Sequence, residues 1–234
     1  MSVTRLLARL RREQRGFTLV EMLVACSIGT IVLLAAFTML DTSVVMTGRV
    51  ADRVDRTQRG RLAMELITRK LRSQVCPTPG QGALIDAQDY SVKFYSFMGT
   101  GAYVPDILEI AWDTNTNSIL QRKWAGTGTS PNTTYAATPT TSTLLSDVRP
   151  NFSPPDQTST RGPVFTYYIA NSGSALTTPL SAADLTASSK IGIQFMAYAQ
   201  GRNASGTSTT LQSEVFSRTA DPNGVTGSTA PECA

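Results

Sequence analysis

Residues 17–40 run for 24 positions with a single charge, Glu21. As a helix rising 1.5 Å per residue the run is about 36 Å long, enough to cross the hydrocarbon core of a bilayer. In a chain of 234 residues with 41% apolar and 16% charged residues, this leaves room for one membrane segment plus one globular domain. Glu21 is the anomaly, because a carboxylate at membrane depth costs on the order of 2–3 kcal/mol and so points to a function and a partner.

Charge is unevenly placed around the run. Arg5, Arg9, Arg11, Arg12 and Arg15 precede it against Glu13 alone, which accounts for the whole formal charge of +4. By the positive-inside bias residues 1–16 stay in the cytoplasm and the C-terminal bulk lies outside. A secretory signal peptide also pairs a basic start with an apolar core. Here the apolar run exceeds the usual length and the helical pattern continues past it without a break.

Val50, Val54, Ala63, Ile67, Leu71 and Val75 recur at helical spacing, with Gly48 and Gly60 as weak points and Cys76-Pro77 as the stop. The pattern predicts one long helix over 17–75, apolar all round at first and amphipathic afterwards. This second half is basic, and it suits alignment of subunits, contact with anionic headgroups or a simple solvated face. From Pro77 onward, short β-type runs alternate with Gly, Pro, Asn, Ser and Thr. Strands are expected at 91–97, 107–112, 119–124, 164–169, 191–198 and 211–218, with loops at 125–143 and 150–162. The fold class is therefore α+β, a long N-terminal helix packed on a C-terminal antiparallel β-sheet head.

The chain has no histidine, which removes the commonest general base and metal ligand. No nucleophile sits beside a base in a recognisable constellation, and the mildly acidic head argues against nucleic acid. Neither an enzyme nor a cofactor is expected. The cysteines are Cys26, Cys76 and Cys233, and export of the head would allow Cys76 and Cys233 to pair. Asp113-Thr114-Asn115-Thr116-Asn117 opens like a calcium loop. Ser118 and Trp124 stand where that loop needs Gly and Glu, so a hairpin turn is the expectation.

At Arg15-Gly16-Phe17-Thr18-Leu19-Val20-Glu21 the chain resembles the type IV pilin family, which includes the pseudopilins of type II secretion. The resemblance implies that a prepilin peptidase cuts after Gly16 and that Phe17 becomes the N-methylated first residue. It also implies that Glu21 meets the new amine of a neighbouring subunit and sets axial register. Four parts follow: a cleaved leader over 1–16, a transmembrane and fibre-core segment over 17–42, a neck helix over 43–75 and an exported head over 76–234. Implied partners are other pilin or pseudopilin subunits and the inner-membrane assembly platform. The segments Leu108-Glu109-Ile110-Ala111-Trp112, Ile119-Leu120-Gln121-Arg122, Leu144-Leu145-Ser146-Asp147-Val148 and Phe165-Thr166-Tyr167-Tyr168 are similar to J-class minor pseudopilins and W-type minor pilins. That likeness implies a subunit near the tip of a secretion pseudopilus, or alternatively of a type IV pilus serving adhesion, motility or DNA uptake.

Overall fold

The computed structural model describes residues 17–78, 81–97, 104–129, 132–151, 161–169, 172–198 and 208–217. Helix α1 (Leu19–Arg72) runs for 54 residues without a proline. Its last turn carries Arg69, Lys70 and Arg72, cations that complement the negative end of the helix dipole. The end comes three residues before the expected 75. Ser73 N–H bonds back to the Lys70 carbonyl at 3.1 Å, Gln74 bridges Ser96, and Pro77 supplies no donor to continue the ladder. The chain divides into two compact units at Ala51 and Asp52.

Among the described residues of the second unit eleven strands follow: β1 (Leu84–Ala87), β2 (Ser91–Ser96), β3 (Asp106–Asp113), β4 (Ser118–Trp124), β5 (Gly126–Thr129), β6 (Asn132–Tyr135), β7 (Thr140–Leu145), β8 (Val148–Arg149), β9 (Phe165–Ile169), β10 (Ser188–Ala197) and β11 (Thr209–Phe216). A short helix, α2 (Ala182–Ala187), precedes β10 and is capped by Ser181. One sheet has the order β1-β2-β3-β4-β7. In the other, β10 pairs with β11 on one side and with β8 and β9 on the other, and every strand pairing in both sheets is antiparallel. β10 is buried at eight of its ten positions, so its sequence reads as a continuous run rather than an alternation. β2 alternates instead, with Val92, Phe94 and Ser96 inward.

The core joins Ala63, Met64, Ile67 and Leu71 of α1 to Phe94, Ile110, Phe165 and Phe195 from the two sheets. Tyr167 is fully buried, and its hydroxyl donates to the carbonyls of Gln88 and Ser91 at 3.1 and 3.2 Å. Burial pushes this phenol well above its ordinary pKa, which favours the protonated form that donates these bonds. Trp112 donates its indole N–H to the Val148 carbonyl at 3.0 Å, which ties β3 to β8. At Gly60 the helix comes so close to β11 that a Cβ would collide with Leu211.

Three expectations are corrected. The buried stripe of α1 begins at Arg56 and runs through Gly60, Ala63, Met64, Ile67 and Leu71. Val50 and Val54 are 62% and 48% exposed, and Val75 lies past the helix end. Helical spacing told which face they share but not where the head stops covering it. The expected loop at 125–143 contains the β5–β6 hairpin and β7. Its threonines are β-branched, and a ladder at a sheet edge needs backbone partners more than apolar side chains. β1, β8 and α2 also escaped the hydrophobic pattern because each is short. The six expected strands all form, and the turn expected after β3 forms as well. In that turn the Asn115 N–H and Thr116 hydroxyl donate to Asp113 at 3.1 and 2.6 Å, and Asn117 takes φ 49°. The other expected loop, 150–162, lies mostly outside the described residues.

Candidate functional site: the exposed N-terminal helix

Every described residue from 17 to 51 is exposed, including Phe17, Leu19 and Phe37 at 75%, 81% and 71%. An apolar surface of that extent on one helix has no counterpart in a soluble monomer and marks a surface for lipid or for other helices. α1 is the one helix among the described residues long and apolar enough to cross a membrane.

The start of the helix is set by Thr18. Its hydroxyl accepts from the Glu21 N–H at 3.2 Å, and its carbonyl accepts from Met22 N–H at 3.2 Å. Thr18-Leu19-Val20-Glu21 has the spacing of a capping box, with Thr18 as the cap and Glu21 at the third helical position. Sequence reading passed over Thr18, although Thr-x-x-Glu ahead of an apolar run is a recognisable start signal. Placement in the first turn also puts Glu21 at the positive end of the macrodipole. This offsets part of its cost in an apolar setting, and it answers why the acid lies near the start rather than mid-span.

The remaining hydroxyls of the run close onto their own helix. Ser27 donates to the Val24 carbonyl at 2.9 Å, Thr30 to Ser27 at 2.8 Å and Thr38 to Ala35 at 2.8 Å. Such back-bonding leaves no hydroxyl to be satisfied by lipid. Among the described residues no group ion-pairs with the Glu21 carboxylate. Phe17 and Glu21 lie one turn apart at i and i+4 on one side of the helix start. Gly16 and the leader, like Cys233, lie outside the described residues. Cys26 is a free, exposed thiol.

The basic stretch of α1 serves the fold in part. Arg56 is buried, whereas Arg59 pairs with Asp55 at 2.9 Å and donates to the Tyr198 carbonyl at 3.3 Å at the end of β10. Arg49, Arg53, Arg61, Arg69 and Arg72 remain exposed.

Residues 11–37 match the family model described as the prokaryotic N-terminal methylation motif. No curated protein matches the chain. The motif implies processing by prepilin peptidase and assembly with other pilins, and the apolar helix supports anchoring in the inner membrane. The motif supports a type IV pilin-like family, and a long N-terminal helix followed by an antiparallel β-sheet domain is consistent with it.

Proposed function

We propose that the protein is a minor pseudopilin, a structural subunit that primes assembly at or near the tip of a type II secretion pseudopilus. Prepilin peptidase cuts after Gly16 on the cytoplasmic side, and Phe17 is N-methylated as the first residue of the mature subunit. Removing the arginine-rich leader frees the helix from its cytoplasmic anchor, with the head outside and the assembly platform beneath. The observation that carries this reading is the state of Glu21, the one charged side chain of a span whose hydroxyls are otherwise closed onto the helix. An acid in that position is stabilised by the amine of a neighbouring subunit, and a subunit out of register leaves it unpaired at high cost.

Glu21→Ala tests the assignment. The variant is expected to insert into the membrane and lose its leader normally, yet be absent from sheared fibres; incorporation at the wild-type level would sink the register role. Gly16→Ala addresses the cut separately, since the variant should keep its leader and migrate as the precursor on a gel. Deletion of the whole gene separates the two fibre types. Loss of exported-protein secretion with surface pili intact supports the pseudopilus, while loss of pili with secretion intact assigns the chain to a type IV pilus.

Cys76 pairing with Cys233 belongs to the same proposal, because an exported head meets an oxidising compartment. Peptide mapping of the unreduced protein should recover the two cysteines in one fragment, and a free Cys233 thiol would refute the pairing.

A further inference from the structure

The β1–β2 turn holds a cleft of about 250 Å³ lined by Gln88, Asp89, Tyr90, Thr178 and Pro179. Its frame is rigid. The Asp89 carbonyl accepts from the Val164 and Phe165 N–H groups at 2.8 and 2.9 Å, the Gln88 carbonyl accepts from the buried Tyr167 hydroxyl, and Leu180 N–H donates to the Ala87 carbonyl at 3.1 Å. Both walls are thereby stitched to the core, so the cleft does not have to be built when it is filled.

Its chemistry is one-sided. The Thr178 hydroxyl donates to Asp89 Oδ1, which fixes the carboxylate at the cleft wall, and among the described residues Oδ2 accepts no hydrogen bond. Asp86, in β1, is held by Gln88 Nε2 at 2.8 Å and lies outside the cleft lining, so Asp89 is the carboxylate of the wall. Tyr90 adds an aromatic surface, packed on Trp112 with ring centroids 5.4 Å apart. The Tyr90 phenol is pushed up first by burial and then by the negative charge of Asp89. The local cation, Arg161, lies over the Trp112 ring at 5.4 Å and is not part of the cleft wall. A carboxylate with an open oxygen beside an aromatic ring is the pair of features that captures a cation, through a charge-assisted hydrogen bond and a cation–π contact. A volume of about 250 Å³ is below the usual range for small-molecule sites and matches one long side chain.

We propose that this cleft is a socket for a single positively charged side chain, the guanidinium or ammonium group of an Arg or Lys on a partner protein. The assignment stands on the cleft alone and holds whichever fibre the subunit joins.

Full-length, isotopically labelled protein in detergent micelles is titrated with Nα-acetyl-arginine methylamide, with the neutral isostere Nα-acetyl-citrulline methylamide, and with methyl glucoside. The arginine amide should give saturable amide shifts at Gln88, Asp89, Tyr90 and Thr178, with the citrulline amide about tenfold weaker, the equivalent of about 1.4 kcal/mol. Asp89→Asn keeps an acceptor for Thr178 and should abolish the preference for arginine. Equal binding of the two amides, binding of the glucoside in place of arginine, or no shift at these residues overturns the proposal. The comparison of the amides on the unmodified protein decides the matter even if the variant does not fold.

Discussion

Thr18 and Glu21 divide the work of starting a helix in an apolar medium. Thr18 satisfies a backbone donor that lipid cannot, while Glu21 places its charge where the aligned peptide dipoles favour it. Thr18→Ala removes the cap and should cost roughly 0.5–2 kcal/mol of local helix stability. The measurement is amide exchange at Leu19, Val20 and Glu21 in micelles, expected to accelerate in this variant and not in Thr30→Ala. Asp113 shows the same kind of local bonding on the head. Donation from the Thr116 hydroxyl, then from the Asn115 N–H, holds its carboxyl below the ordinary carboxylate value. A depressed folded-state pKa means that the turn's contribution is complete above the ordinary value and is lost as pH falls through the lower one. Thr116→Val should raise the Asp113 midpoint in an NMR titration; an unchanged midpoint would show that the hydroxyl does not set it.

Along α1 the sequence pattern was legible in kind but not in extent. Ile67 and Leu71 are fully buried as their spacing demanded, yet Val50 and Val54 on the same expected stripe are exposed. Periodicity reports which residues share a face; what covers that face is decided by strands more than a hundred residues away, such as β10 and β11. The contrast is measurable. Ile67→Ala should destabilise the head by roughly 2–5 kcal/mol, with a fall in Tm of roughly 2–4 °C for each kcal/mol, whereas Val54→Ala should leave Tm unchanged. In the sheets, strands with apolar alternation such as β2 and β3 announced themselves. β5, β6 and β7 did not, because Thr-Thr-Ser-Thr and Gly-Thr-Gly-Thr carry the composition of a loop. Gly60 was read only as a weak point in the helix; its second role, admitting Leu211, depends on a contact 151 positions away that no local window contains. The candidate site fared similarly: Phe17 and Glu21 stood out because a motif names them, and Thr18 was missed because its role is a backbone bond.

For the molecule as a whole, the described head has one hydrophobic core, and every described residue from 17 to 51 is exposed. Stability is then a property of the head, and residence is a property of the helix. If Cys76 and Cys233 pair, reduction should lower head stability by roughly 2–5 kcal/mol without releasing the protein from membranes. Denaturation followed with and without reductant, alongside carbonate extraction, reads the two quantities separately.

The hydroxyls of Ser27, Thr30 and Thr38 turned onto their own carbonyls carry one more implication. A helix that spends all its hydrogen bonds internally shows its neighbours a greased rod, on which dispersion contacts change little as one rod slides past another. Packing of that sort tolerates unlike partners and many offsets. On the proposed register role Glu21 is the detent among such rods, and subunits glide until it clicks.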